Sequence, residues 1–339
     1  MTAHPAVPAA TARTEAAVAD PTGVPVTIPV ALTDGGDVEH EVHAELFRPD
    51  GRLPRTVQLL VPGFTYDHRY WTVPGPYHYA AAMVRAGYAV LALDRIGTGA
   101  SSRPPAREVT ADSNTAVLHQ VVQALRAGTS GLPAVARVVT VGHSYGSGIA
   151  LMEAARHHDV AAVVVTGMLH TQAPLHARAR QMFHQAADDP QLGARDDAAA
   201  YPVDYATHRP GERATLLEAP GGVDPEISAH NERIKSTATI GEGDTLAQTY
   251  DPAHSRALDV PTLVVVGESD QLFSAGEDGR PEIEPALARE RACFSPAARL
   301  EIAVVAGSGH ALTIHRTAPD FFEVVRDWAA RRLGGPNGE

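Results

Sequence analysis

The sequence predicts an α/β fold: a mostly parallel central sheet of about eight strands, helices on both faces, and an insertion after the sixth strand. Three observations carry this. Short apolar runs recur at 56–61, 88–93, 137–141, 160–166 and 260–266, as strands covered on both faces require. Amphipathic stretches of helical period lie between most of them. The alternation stops over 171–258 and then resumes, so a long segment has been let into one fold rather than appended to it.

Taken in order, residues 1–22 are rich in Ala, Pro and Thr without periodicity and predict a poorly ordered arm. Residues 24–32 and 42–47 are β-prone runs joined by Asp34-Gly35-Gly36, an opening hairpin. The buried strand 56–61 ends in Pro62-Gly63-Phe64. A helix over 77–86 closes at Gly87, and strand 88–93 runs into Asp94. On helix 112–127, Val117, Leu118, Val121, Val122 and Leu125 share one stripe, and Gly128 ends it. Strand 137–141 precedes Ser144, and helix 148–157 follows. Strand 160–166 ends at Gly167-Met168-Leu169. Within 171–258, helices are expected at 174–187 and 225–236. Strand 260–266, helix 282–291, strand 299–305 and helix 319–333 complete the chain. The expected domains are the arm 1–22, a core of 23–170 plus 259–339, and a cap of 171–258.

Composition narrows the function. Hydrophobic residues make up 44% and charged residues 20% of the 339, enough to bury a sizeable core. A net charge of −12 disfavours nucleic acid as a partner. No apolar run reaches membrane-spanning length, and no basic-then-apolar signal opens the chain. Cys293 is the single cysteine, which excludes an intramolecular disulfide. The expectation is a cytoplasmic protein with no membrane span, for which a homodimer is allowed but not demanded. No cofactor is expected. Gly97-Thr98-Gly99 lacks the dinucleotide spacing and leads to Pro104-Pro105 instead of a helix, and Lys235, the only lysine, lies in no phosphate loop. No metal is expected either: His170, His176 and His184 do not match common ligand spacings, and Asp188-Asp189 and Asp196-Asp197 read as solvated loop acids.

The chemistry centres on Gly142-His143-Ser144-Tyr145-Gly146, a G-x-S-x-G run between a strand and a helix. A serine on so sharp a turn is held in strained backbone with its hydroxyl above the sheet edge. Its hydroxyl needs a base. Asp270 and His310 each follow a later strand, in the order Ser, acid, His. His310 would take the serine proton and Asp270 would orient the imidazole. Asp94 and Glu268 are competing acids. His143 is expected to pack beneath the turn, and His315 to have no required role.

These motifs resemble the α/β-hydrolase superfamily, in its serine esterase and lipase-like branch, over 42–333. The resemblance implies a nucleophile elbow at Ser144, an acid turn at Asp270, a histidine loop at His310, and an oxyanion hole made by the backbone N–H groups of Phe64 and Tyr145. It implies cleavage of a carboxylic ester, lactone or thioester of a small-molecule substrate. Acyl transfer, cyclisation or lyase chemistry at the same elbow is the alternative, and a non-catalytic binding module the remaining one. Tyr66, His68, Tyr70 and Trp71 would line the pocket or merely pack the loop. Met168, Leu169, Phe183 and Tyr205 are candidates for its roof.

Overall fold

The computed structural model describes residues 20–50, 54–194, 201–276 and 280–337. The arm expected over 1–22 and the acids Asp196 and Asp197 fall largely or wholly outside them. In chain order the strands are β1 (Val24–Val30), β2 (His40–Phe47), β3 (Thr56–Val61), β4 (Ala89–Leu93), β5 (Arg137–His143), β6 (Ala162–Thr166), β7 (Phe183–Gln185), β8 (Tyr205–His208), β9 (Ala238–Thr239), β10 (Thr262–Gly267) and β11 (Glu301–Val305). The helices are α1 (Tyr79–Arg85), α2 (Ala111–Ala127), α3 (Tyr145–His157), α4 (His176–Ala179), α5 (Glu212–Leu217), α6 (Pro225–Arg233), α7 (Ile240–Thr245), α8 (Pro252–Ala257), α9 (Ile283–Arg291) and α10 (Ala318–Leu333).

Eight strands form one sheet in the order β1-β2-β4-β3-β5-β6-β10-β11. Only β2 runs against its neighbours. Every residue of β3, β4, β6 and β10 is buried, which is why these runs carry no polar alternation. β1 alternates exposed and buried positions, as an edge strand with one wet face does. Strand register decides where the connecting loops gather. Val61 pairs with Gly142, His143 with Thr166, and Gly267 with Val305. The carboxyl ends of β3, β5, β6, β10 and β11 therefore finish side by side, and the loops leaving them meet at one rim. α2 starts with a Thr110–Ser113 capping box and ends at Gly128, and α10 ends at Gly334.

The stretch between β6 and β10 is more ordered than its sequence suggests. The helix expected over 174–187 is one turn of α4, a 3-10 turn, and then β7. β7, β8 and β9 pair antiparallel as a small second sheet. Strands of three, four and two residues are too short to show a period, so the sequence could not reveal them. The helix expected over 225–236 is α6. Asp189 corrects another expectation. It is buried, not solvated, and accepts from Lys235 Nζ at 2.7 Å and His184 Nε2 at 3.0 Å. Burial alone would raise its carboxyl; Lys235 and the Leu192 and Gln191 amides hold it below the usual range.

Candidate active site

Ser144 sits at φ 53°, ψ −122°, between the end of β5 and the first turn of α3. A non-glycine residue pays of order 1–3 kcal/mol for such a backbone. Its surroundings over-determine it. The Ser144 amide donates to the Thr166 carbonyl at 2.8 Å, and the Ser144 carbonyl accepts from the Ser147 amide at 2.8 Å. A Cβ at Gly146 would lie 2.3 Å from the Val61 carbonyl oxygen, and one at Gly63 would lie 2.9 Å from Ser144 Cβ. Both positions need glycine because of this close approach. The Pro62-Gly63-Phe64 loop is thereby pressed directly against the serine turn.

Asp270 and His310 meet as their strand ends suggest. His310 Nδ1 donates to Asp270 Oδ2 at 2.9 Å, and Oδ1 of the same carboxylate accepts from the Leu272 amide at 2.9 Å. Both side chains are buried. With Nδ1 engaged, Nε2 is the nitrogen left for proton transfer. The competing acids are occupied elsewhere. Asp94 holds the His68 amide at 2.8 Å, the His68 ring at 2.7 Å and the Ala100 amide at 2.9 Å, and Glu268 accepts from the Gly307 amide at 3.0 Å.

Phe64 and Tyr145 come together, their rings stacked at 4.2 Å. The Phe64 amide donates to no acceptor among the described residues. The Tyr145 amide opens α3, so it has no partner within the helix. Two free donors thus flank the serine.

His143 packs beneath the turn as expected. It stacks on Tyr70 at 4.3 Å, and its ring centroid is 4.9 Å from that of His310. Burial holds it well below the ordinary histidine range, so it is neutral. Tyr70 and Trp71 complete this layer behind the elbow. Tyr66 donates to Asn231 Oδ1 at 2.7 Å and lies under the Arg213 guanidinium at 4.2 Å. For these three the packing reading is the one the surroundings support. His68 is drawn away to Asp94 and Glu45. The Tyr205 hydroxyl donates to the Pro104 carbonyl at 2.8 Å. Phe183 faces His208 at 4.3 Å. Met168 and Leu169 are buried just past β6. The groups that do lie against His310 carry no signal in the sequence. Phe273 stacks over it at 5.8 Å, His176 lies 5.6 Å from Phe273, and His176 Nε2 meets the Tyr250 hydroxyl at 3.0 Å. Burial pushes His176 down to about 4. His170, by contrast, bonds Glu290 and Ser255, and His184 bonds Asp189, so the three histidines do not converge.

His315 has a role that its sequence context does not show. Its Nδ1 donates to the Ala311 carbonyl at 2.8 Å, which leaves Nε2 to accept from the Gly309 and Ala219 amides, each at 2.9 Å. It fixes the loop on both sides of His310. Burial pushes it down to about 4, so it stays neutral in this role.

The inserted segment grips the glycine loop through buried charges. Arg95 donates to the Pro62 carbonyl at 2.9 Å and the Gly63 carbonyl at 3.2 Å, and pairs with Glu242 of α7. Thr65, next to Phe64, has φ +55°. Three groups of the insertion hold it there. Arg213 donates to its carbonyl at 3.2 Å and its hydroxyl at 2.7 Å. His208 Nδ1 meets that hydroxyl at 2.8 Å, and the Ser236 amide donates to the carbonyl at 2.8 Å.

A profile of the Alpha/beta hydrolase family matches residues 58–323. The chain belongs to that family. Comparison with curated proteins finds no match. Among solved structures, it is similar to a thermophilic esterase from Thermogutta terrifontis, at 18% identity over 91% of this chain and 98% of that one, TM-score 0.61. A monoglyceride lipase from Saccharomyces cerevisiae shares 14% identity over 90% and 96%, TM-score 0.61. An esterase domain from Rhodothermus marinus shares 19% over 91% and 98%, TM-score 0.53. These likenesses establish the fold. Among the described residues, no helix is long and apolar enough to cross a membrane.

Proposed function

We propose that this chain is a serine hydrolase that cleaves a carboxylic ester, lactone or thioester of a small molecule. The observation that carries the reading is the buried His310–Asp270 pair at 2.9 Å, on the same rim as a serine held in elbow geometry between two unpaired amides. In this mechanism His310 Nε2 takes the Ser144 proton as Oγ attacks the carbonyl carbon. The amides of Phe64 and Tyr145 receive the developing oxyanion; losing one such donor costs about 3 kcal/mol in other hydrolases. The imidazolium, steadied by Asp270, protonates the leaving alcohol or thiol as the acyl-enzyme forms. Water, deprotonated by His310, then attacks the acyl carbon and Ser144 leaves with the proton returned. Residues 171–258 act as the cap, and Phe273, His176 and Tyr250 form the wall nearest the base. The esterase and lipase names borne by the structural neighbours agree with this reading.

The test is intact mass after treatment with a fluorophosphonate. One adduct, located on Ser144 and absent from Ser144→Ala, is expected, together with release of free acid from a panel of simple esters. Folded protein that takes no adduct would overturn the proposal. Transfer of the acyl group to an added alcohol in preference to water would redirect it to acyl transfer.

A further inference from the structure

Away from this rim, on the far part of α3, three ligand-bearing side chains converge with almost nothing to bind. Glu153 of α3 is fully buried. Neither of its carboxylate oxygens has a hydrogen-bond partner, and the same holds for His119 Nδ1 and Asp159 Oδ1. Four orphaned buried polar atoms in one place demand an explanation. His119 comes from α2, which packs along α3, and Asp159 follows the C-cap of α3, His158.

The spacing of the donor atoms also fits a shared metal ion. Metal–donor bonds of about 2.0–2.1 Å at tetrahedral angles place neighbouring donors roughly 3.3 Å apart. His119 Nδ1 is 3.0 Å from Asp159 Oδ2 and 3.6 Å from Glu153 Oε1. The local field also favours a cation: two carboxylates face one imidazole, and the carbonyl end of α3 points the same way. The His119 ring is already fixed, stacked on His157 at 3.6 Å and 12°. Gln123 Nε2 donates to Asp159 Oδ2 at 2.6 Å, which orients that carboxylate as outer partners of metal ligands do.

We infer that His119, Glu153 and Asp159 bind one divalent transition cation between α2 and the carboxyl end of α3. One imidazole with two carboxylates suits zinc or manganese. Glu153 is nine residues beyond Ser144, about 13 Å along the helix, so the ion ties the nucleophile-bearing helix to α2 and takes no part in the chemistry at Ser144.

The experiment uses the full chain stripped with chelator, titrated with zinc chloride and separately manganese chloride by calorimetry, and melted with and without each ion. One equivalent should bind and raise the melting temperature. Glu153→Gln and Asp159→Asn, which keep side-chain volume, should each weaken binding at least tenfold while the metal-free melt and circular dichroism stay native. His68→Gln, in the separate His43–His68–Asp94 cluster, should leave the response intact. No binding of either ion would overturn the inference. So would wild-type binding by both carboxylate variants, or loss of binding in His68→Gln.

Discussion

The sheet core and the inserted segment are held by different mixtures of forces. The core is one continuous apolar cluster in which β3, β4, β6 and β10 are wholly buried. Area removed from water stabilises it, and no single contact decides its shape. The insertion has a small apolar cluster of its own around Leu192, Tyr201 and Tyr205, and it lends Leu216, Leu217, Ile234 and Leu258 to the core cluster. To that burial it adds buried polar groups: Glu242 on Arg95, Arg213 on Thr65, and Lys235 on Asp189. Directional pairs specify one arrangement but tolerate little loss, because an abandoned partner is left charged and dry. The inserted segment is therefore anchored to the loop that carries Phe64, one of the two proposed oxyanion donors.

Substitutions can break that contrast at chosen points. The largest effect is expected at the pair inside the core rim. Asp270→Asn should lower kcat by about 10⁴-fold with little change in the melt, since it alters the histidine tautomer rather than the packing; steady-state kinetics and a thermal scan decide this. Next comes the joint between the two regions. Glu242→Ala strands Arg95 and should cost about 3–5 kcal/mol in chemical denaturation, whereas a core change such as Val265→Ala should cost about 2 kcal/mol. Equal costs would erase the distinction between the two regions. Arg213→Gln removes one of the three holds on Thr65 and should lower kcat about 10- to 100-fold with KM nearly unchanged. A rise in KM alone would mean that Arg213 only contacts substrate.

The smallest effect is a pH dependence. Burial would lower His68, but the Asp94 hydrogen bond outweighs it and raises the ring to about 9 from 6.5. A group with a raised folded-state value binds its proton more tightly in the native chain. Its contribution is complete below pH 6.5 and is lost as pH rises through about 9. Denaturation curves across that window should fall for the wild type. They should be flatter in His68→Gln by on the order of 1–2 kcal/mol. An identical slope in the variant would show that His68 stays neutral.

Much of this was legible in the residues. Short continuous apolar runs bounded by turns mark strands covered on both sides, and β3, β4, β6 and β10 are such strands. Gly142, Ser144 and Gly146 at a strand-to-helix junction mark a strained turn, and Asp270 and His310 follow strand ends in suitable order. The neutral packing role of His143 was also foreseeable from its place beside the turn. Other parts were hidden. His315 looks like any histidine ahead of a helix; its grip on Gly309 and Ala219 exists only after α10 and the insertion have docked. Tyr66 and Tyr205 read as pocket residues by size, yet the hydrogen bonds that bury them run to Asn231 and Pro104, distant in sequence. The short strands β7 to β9 have no period to read. By itself, then, the sequence determined the sheet, the elbow and the order of the candidate catalytic groups, because these depend on local periodicity and on backbone conformations that few residues adopt. Only the tertiary structure decided which acid meets His310, how Thr65 is clamped, and where Glu153 lies without a donor, because each depends on a contact between residues far apart in the chain.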